Sequence, residues 1–186
     1  MDHIGNAKYI IKNINVSNVI FNCGNYNKLE NELIDELLKY KIIYYSCIKE
    51  LDIEGNKLEF LNTSECNNEN DNSSVIYFNY NNYKFLFMGD AGIEKEKEIL
   101  EKYNFKNIDF LKVGHHGSDT SSSKKFINVI NPKYSIISVG KNNKYGHPKE
   151  SVLNNLKNSY IYRTDKNGTI EIKINKGEYR IKICSS

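Results

Sequence analysis

The stretch DFLKVGHHGSDTSSS, Asp109–Ser123, is the most informative part of this sequence. It begins with a short apolar run that is typical of a buried strand, and this run leads directly into Gly114. His115 and His116 then stand side by side, followed by a second glycine. Because side chains alternate along a strand, two adjacent histidines rarely both serve packing. The pattern therefore indicates a ligand or catalytic role for the pair, with ordinary packing as the alternative.

Three other segments place an aspartate or a histidine beside small residues. Asp90 follows the apolar run KFLFMG, His147 lies in the loop YGHP, and Asp2-His3 precedes an Ile-Gly pair. Aspartate and histidine held at strand ends with glycine neighbours are typical of a metal site. Each segment also has a simpler interpretation. Asp90 can be a helix N-cap, His147 can bond a backbone carbonyl, and Asp2-His3 can be a solvated chain end.

Helical and strand-like periodicities alternate along the chain. Tyr26–Tyr40 has apolar residues at helical spacing, whereas Ser74–Tyr80 and Tyr83–Met88 predict a hairpin around Asn81-Asn82. No linker or internal repeat divides the 186 residues. The sequence therefore predicts an α/β (α+β) fold of layered sheets and helices in a single domain.

Composition excludes several classes of protein. Lys and Arg (26) outnumber Asp and Glu (23), but the net charge of +3 is too small to indicate nucleic-acid binding by itself. No run approaches the ~18 apolar residues of a membrane span, and no signal peptide is visible, which together predict a cytoplasmic chain. The cysteines are widely spaced and are predicted to be reduced: Cys23, Cys47, Cys66 and Cys184.

Taken together, these motifs resemble the metallo-β-lactamase superfamily, most closely the C-terminal hydrolase domain of ComEC-type competence (DNA-uptake) proteins. Asp2-His3-Ile4-Gly5 is similar to the end of the family's first metal motif, His-x-Asp-x-Asp-His-Ile-Gly. The resemblance covers essentially the whole chain. Besides Asp109–Ser123, it rests on Asn72–Val75, Phe87–Asp90, Ile136–Asn142, Tyr145–Pro148, Tyr162–Asp165 and Gly168.

The resemblance implies an αββα sandwich that holds one or two divalent metal ions, Zn or Mn, between the edges of its sheets. Carried over by position, it implies that Asp2, His3 and Asp90 are metal ligands. His115 or His116 would close the site, and the sequence leaves the choice between them open.

The implied activity is metal-dependent hydrolysis of phosphodiester bonds, with single-stranded DNA as a candidate substrate. Asp2, His116 and His147 are the candidate catalytic residues. Ser118, Ser121 and His147 would face the substrate, although an ordinary polar loop explains the serines equally well. Two alternatives remain for the whole chain: a small-molecule phosphoesterase on the same fold, or a non-catalytic remnant that serves as an interaction module.

The N-terminus departs from the family pattern. The family motif begins with a His and an Asp upstream of Asp2, and the printed sequence starts at Met1. We therefore expect residues 1–186 to be a metallo-β-lactamase-like domain that is N-terminally truncated and lacks its first strands. A partner segment that completes the first sheet would then cover the open strand edges.

Overall fold

Eleven strands and six helices make up the described part of the chain, residues 4–61 and 70–184 of the computed structural model. The strands are β1 (Asn18–Phe21), β2 (Ile43–Ser46), β3 (Glu50–Ile53), β4 (Asn56–Phe60), β5 (Ile76–Tyr80), β6 (Tyr83–Phe87), β7 (Phe110–Lys112), β8 (Tyr134–Ile137), β9 (Tyr160–Arg163), β10 (Thr169–Asn175) and β11 (Glu178–Cys184). The helices are α1 (Ala7–Asn13), α2 (Lys28–Lys39), α3 (Ile93–Lys102), α4 (Lys124–Ile130), α5 (Glu150–Asn155) and α6 (Thr164–Asn167). Within these ranges, no helix is both long enough and apolar enough to cross a bilayer.

A seven-stranded mixed sheet, in the order β3-β4-β5-β6-β7-β8-β9, forms the framework. Strands β3 to β6 pair antiparallel, and β6 to β9 pair parallel. The predicted hairpin is confirmed: β5 pairs with β6, and both Asn81 and Asn82 have positive φ, as tight hairpin turns require. The parallel strands bring the loops that follow β6, β7 and β8 to one edge of the sheet.

The main core lies between this sheet and helices α3 to α5. Leu86 and Leu111 are paired in register and belong to the same buried cluster as Ile99 of α3 and Phe126 of α4. Full burial of one leucine side chain contributes about 1.5–3 kcal/mol. The sheet is thus fixed on its helix-covered face, and the loops at its carboxyl edge start from rigid strand ends.

The opposite face of the sheet carries a row of aromatic rings. Phe85, Phe110 and Tyr134 stack across neighbouring strands, with ring centroids 4.8 and 5.3 Å apart. Tyr179 of the β10–β11 hairpin meets Phe110 edge-on at 5.3 Å. The hairpin therefore packs on this face, since alternate residues of each strand point away from the helices.

A smaller unit is formed by α1, β1, α2 and β2. Strands β1 and β2 pair parallel, and their buried cluster includes Phe21, Leu33 and Leu37. The helix α2 begins with a capping box, in which Asn27 accepts from the Glu30 N–H and the Glu30 carboxylate accepts from the Asn27 N–H. This cap explains why the predicted helix begins at Lys28 rather than at Tyr26.

A disulfide joins Cys23 and Cys47, so the prediction of reduced cysteines is wrong for this pair. The physical reason is the register of β1 and β2. Phe21 lies opposite Ser46, so the residues just after the two strands are brought together, with a Cα–Cα distance of 4.5 Å. Cys184 is free and exposed, whereas Cys66 lies outside the described residues.

Candidate metal centre

Residues from three loops meet at the carboxyl edge of the parallel strands. Asp90 follows β6, His115 and His116 follow β7, and His147 lies in the loop after β8. Nε2 of His116 lies 3.8 Å from Oδ1 of Asp90, and the two side chains are 26% and 14% exposed. The structure thus brings His116 and Asp90 together in a largely buried pair.

A backbone carbonyl orients the imidazole of His116. Its Nδ1 lies 2.7 Å from the carbonyl oxygen of Ser138, which can only accept a hydrogen bond, so Nδ1 carries the proton. In the neutral ring, Nε2 then presents its lone pair towards Asp90; in the protonated ring, the same two atoms form an ion pair. A carbonyl that fixes the tautomer in this way is typical of histidines that bind metals.

The backbone of this loop is held in an unusual conformation. His115 and His116 have φ values of 46° and 54°, the left-handed region that non-glycine residues seldom occupy. Such residues cost about 1–3 kcal/mol each and persist only where the surroundings determine them. Here the His115 N–H donates to the Gly89 carbonyl at 2.9 Å, and the His115 carbonyl accepts from the Ser118 N–H at 2.8 Å. Hydrogen bonds on both sides of His115 thus hold the loop in this conformation.

Close packing of Gly117 brings the loop of His147 to the site. A Cβ at Gly117 would lie 2.5 Å from Cβ of Pro148, so only glycine allows this approach. The ring centroids of His147 and His115 are 6.1 Å apart. Burial, together with the positive charge of Lys149, lowers the pKa of His147. This lowered pKa favours the neutral form of His147, and its Nδ1 is buried.

The serine hydroxyls of this loop form hydrogen bonds within the loop itself. Ser121, which is 2% exposed, donates its hydroxyl to the Gly114 carbonyl at 2.9 Å. The hydroxyl of Ser118 lies 3.0 Å from that of Thr120, which also lies 3.0 Å from Nδ1 of His115. These contacts brace the histidine loop, and substrate contact by Ser118 and Ser121 stays a prediction.

The loop is also held by Glu96, a residue that the sequence analysis did not single out. This side chain of α3 is 1% exposed, and its carboxylate accepts hydrogen bonds from the N–H groups of Ser122 and Ser123. Burial raises the pKa of Glu96, although these donors oppose the shift. An acidic residue in the first turn of a charged helix is usually solvated, and no sequence signal marks this one as buried.

A hydrogen bond from its backbone N–H holds Asp90 in place. The interpretation of Asp90 as a helix N-cap is wrong. The Asp90 N–H donates to the Ser73 hydroxyl at 3.0 Å. Helix α3 begins at Ile93 with Gly92 as its N-cap, and the Gly92 N–H donates to the Asp71 carboxylate at 3.0 Å. The segment around Asn72–Val75 thus fixes the loop that carries Asp90.

Asp2 and His3, two predicted ligands, lie outside the described residues. Ile4, the next residue, lines the same cavity of about 680 Å³ as Asp90. Within residues 4–61 and 70–184, no three or more His, Cys, Asp or Glu side chains are grouped closely enough to hold a metal ion. The Asp90–His116 pair supplies two donors of suitable chemistry, and metal–ligand bonds of about 2.0–2.2 Å can span their separation. The described residues therefore fit part of a metal site.

The chain belongs to the metallo-β-lactamase superfamily, whose family model matches residues 1–141. The sheet with flanking helices agrees with that fold. Members of this superfamily generally bind divalent metals. The similarity to a solved Thermotoga maritima protein of the same superfamily is weak, with a TM-score of 0.39 and 18% identity over 76% of this chain and 67% of that one.

Curated relatives are competence proteins, as the motifs predicted. The chain is 32% identical over 179 residues to ComE operon protein 3 of Bacillus subtilis, and 36% identical over 129 residues to competence protein ComA of Neisseria gonorrhoeae. The alignments cover 92% and 67% of this chain but only 23% and 19% of those proteins. The chain is thus hydrolase-like and related to one part of much longer proteins.

Proposed function

We propose that this chain is a metal-dependent hydrolase of phosphodiester bonds. The observation that carries the proposal is the buried pair of His116 and Asp90, in which the tautomer of His116 is set by the Ser138 carbonyl. The resemblance of the motifs to DNA-uptake proteins, together with relatives that include a competence protein, favours DNA as the source of the phosphodiester.

In this proposal, Asp90 and His116 hold a divalent ion, Zn or Mn, together with Asp2 and His3. Once bound, such an ion supplies Lewis acidity at the scissile phosphate. The Ser138 carbonyl keeps the Nε2 lone pair of His116 directed at the site. Asp2 would accept the proton of the attacking water.

His147 contributes a neutral imidazole beside His115. Its lowered pKa favours the neutral ring, which has one N–H to donate to a phosphoryl oxygen or to the leaving group. The packing of Gly117 against Pro148 holds this loop against the histidine loop. His147 is thus a candidate for orienting the substrate rather than for holding the ion.

Metal binding tests the proposal directly. The purified chain is dialysed against Mn²⁺ or Zn²⁺, and bound metal is measured for the wild type and for Asp90→Ala, His116→Ala and the exposed control Asp35→Ala. We expect one or two equivalents in the wild type and in the control, and a loss in the two site variants. A folded wild type that binds neither metal would overturn the proposal.

Substrate preference is tested on the metal-loaded chain. Hydrolysis of bis(p-nitrophenyl) phosphate with little hydrolysis of p-nitrophenyl phosphate supports a phosphodiesterase, and the reverse supports a small-molecule phosphomonoesterase. For an oligonucleotide substrate, affinity should fall steeply with salt, because each neutralised phosphate releases counterions. A flat salt dependence would contradict a nucleic-acid substrate.

A further inference from the structure

Lys112 lies at the edge of the candidate site and has no role in the proposal above. It is the last residue of β7 and pairs in register with Phe87 on one side and Ile136 on the other. Ile136 in turn pairs with Tyr162 of β9. Residues in register share a face of the sheet, so Lys112 is a cation among apolar neighbours. It stands just before Gly114, where the histidine loop begins.

The ammonium group of Lys112 has few partners. Among the described residues, its one hydrogen bond is to the Val113 carbonyl at 3.3 Å. An ammonium has three donors, so two remain for another ligand. Among the same residues, no carboxylate forms an ion pair with it. Burying a cation without a paired anion is costly, and such groups are normally paired or serve a ligand.

Two opposing effects act on the pKa of Lys112. Burial lowers the pKa, and the negative charge of Asp90 partly restores it. The Met88 N–H also donates to the Lys112 carbonyl at 3.3 Å, so Lys112 lies beside the strand end that leads to Asp90. A lysine that only packed its aliphatic chain would extend its charged end into water, which would remove the desolvation.

We propose that Lys112 binds a phosphate oxygen of the substrate beside the Asp90–His116 pair, an inference that rests on the proposed function. The hydroxyls of Ser118 and Ser121 are already committed within the loop, and the ammonium of Lys149, another cation at this edge, donates to the Tyr145 carbonyl. The ligand is the phosphate group itself, a feature shared by nucleic acids and by small phosphoesters. Lys112 is a binding residue, and its partner is an anion.

Inorganic phosphate is the probe that tests Lys112 without catalysis. The melting temperature is measured against phosphate concentration for the wild type, Lys112→Met, Lys112→Arg and the control Lys84→Met. Lys84 lies on β6 and donates to the Lys106 carbonyl, away from the carboxyl edge. A ligand that binds only the folded state raises the melting temperature by mass action.

We expect Lys112→Met to weaken phosphate binding about tenfold, the cost of one hydrogen bond to a charged group. Lys112→Arg should restore most of the binding, and Lys84→Met should match the wild type. Without phosphate, Lys112→Met should melt at the same temperature as the wild type or higher, since a desolvated charge has been removed. A purely structural role predicts the opposite, namely a lower melting temperature with unchanged phosphate affinity.

Two results would overturn the inference: a wild type that phosphate does not stabilise, or a Lys112→Met variant with wild-type affinity. Both results are measured by phosphate binding and require no catalytic activity. If the metal-loaded wild type binds phosphate through Lys112 but cleaves no phosphodiester, the proposed function fails and the binding role of Lys112 stands. The two failures are therefore distinguishable.

Discussion

Replacing Glu96 with alanine should destabilise the protein through the histidine loop. The Glu96 carboxylate accepts the N–H groups of Ser122 and Ser123, and Ser122 is almost fully buried at a positive φ of 57°. The Ser122 carbonyl is held as well, by the side-chain amide of Asn155 at 2.9 Å. Alanine would leave buried N–H groups without acceptors inside a loop that cannot relax easily.

The size of the effect follows from these contacts. Each unsatisfied buried N–H costs about 1–3 kcal/mol. The one methylene group lost from the core, Cγ, adds about 0.8 kcal/mol. Alanine also removes the cost of burying the carboxylate, which is the cost that raises the pKa of Glu96. This effect stabilises the variant and offsets part of the loss. We therefore expect Glu96→Ala to lower the free energy of unfolding by about 2–4 kcal/mol, a large part of the ~5–15 kcal/mol typical of a domain.

Urea denaturation followed by circular dichroism measures this change. With a slope of about 1–3 kcal/mol per molar urea, the midpoint should fall by about 1–2 M. Glu94→Ala on the same helix is the matched control. Glu94 is 75% exposed, and its one ion pair within residues 4–61 and 70–184 is with Lys97, so its loss should cost about 0–1 kcal/mol. If Glu96→Ala unfolds within about 0.5 kcal/mol of that control, the argument for Glu96 as the brace of the loop is refuted.

Three other changes test separate parts of the structure. Cys23→Ser opens the disulfide to Cys47 and should cost roughly 3 kcal/mol in non-reducing urea, since the closed loop has a sequence separation of 24; equal midpoints would contradict the disulfide. Arg163 holds the pKa of Asp165 below its usual value, so the stability from this pair is present above about pH 5 and is lost as the pH falls below about 4. Asp165→Asn should flatten that acid dependence in a pH series of melting temperatures, and an unchanged slope would count against the pair. Leu86→Ala should cost about 2–5 kcal/mol in urea, and a cost under 1 kcal/mol would place Leu86 outside the core.

The strands and the edge that carries the site could be predicted from local sequence. The turn residues Asn81 and Asn82 favour positive φ, and the apolar run before Gly114 matches a buried strand. Parallel strands collect the loops that follow them at one edge, so Asp90 and the histidines were expected to meet. The turn, the strand and its end each depend on residues that are adjacent in the chain, and a sequence shows these directly.

Other features depend on contacts between distant segments. The choice of His116 over His115 as the partner of Asp90 follows from a left-handed backbone that strand alternation does not describe. Burial of Glu96 and Lys112 depends on tertiary packing around side chains that are usually solvated. The disulfide depends on the parallel register of two strands that are separated in the chain by a helix.

The left-handed conformation of His115 and His116 also means that an imidazole at either position costs the protein stability. Glycine adopts that conformation at no steric cost, so a substitution to glycine would relieve about 1–2 kcal/mol of backbone strain at each position. This relief opposes the loss of the hydrogen bonds that the two rings make to Thr120 and to the Ser138 carbonyl. Both histidines are present here at conformations that penalise them. The imidazoles of this loop are thus held at a cost in stability that the free energies of unfolding of His115→Gly and His116→Gly would measure.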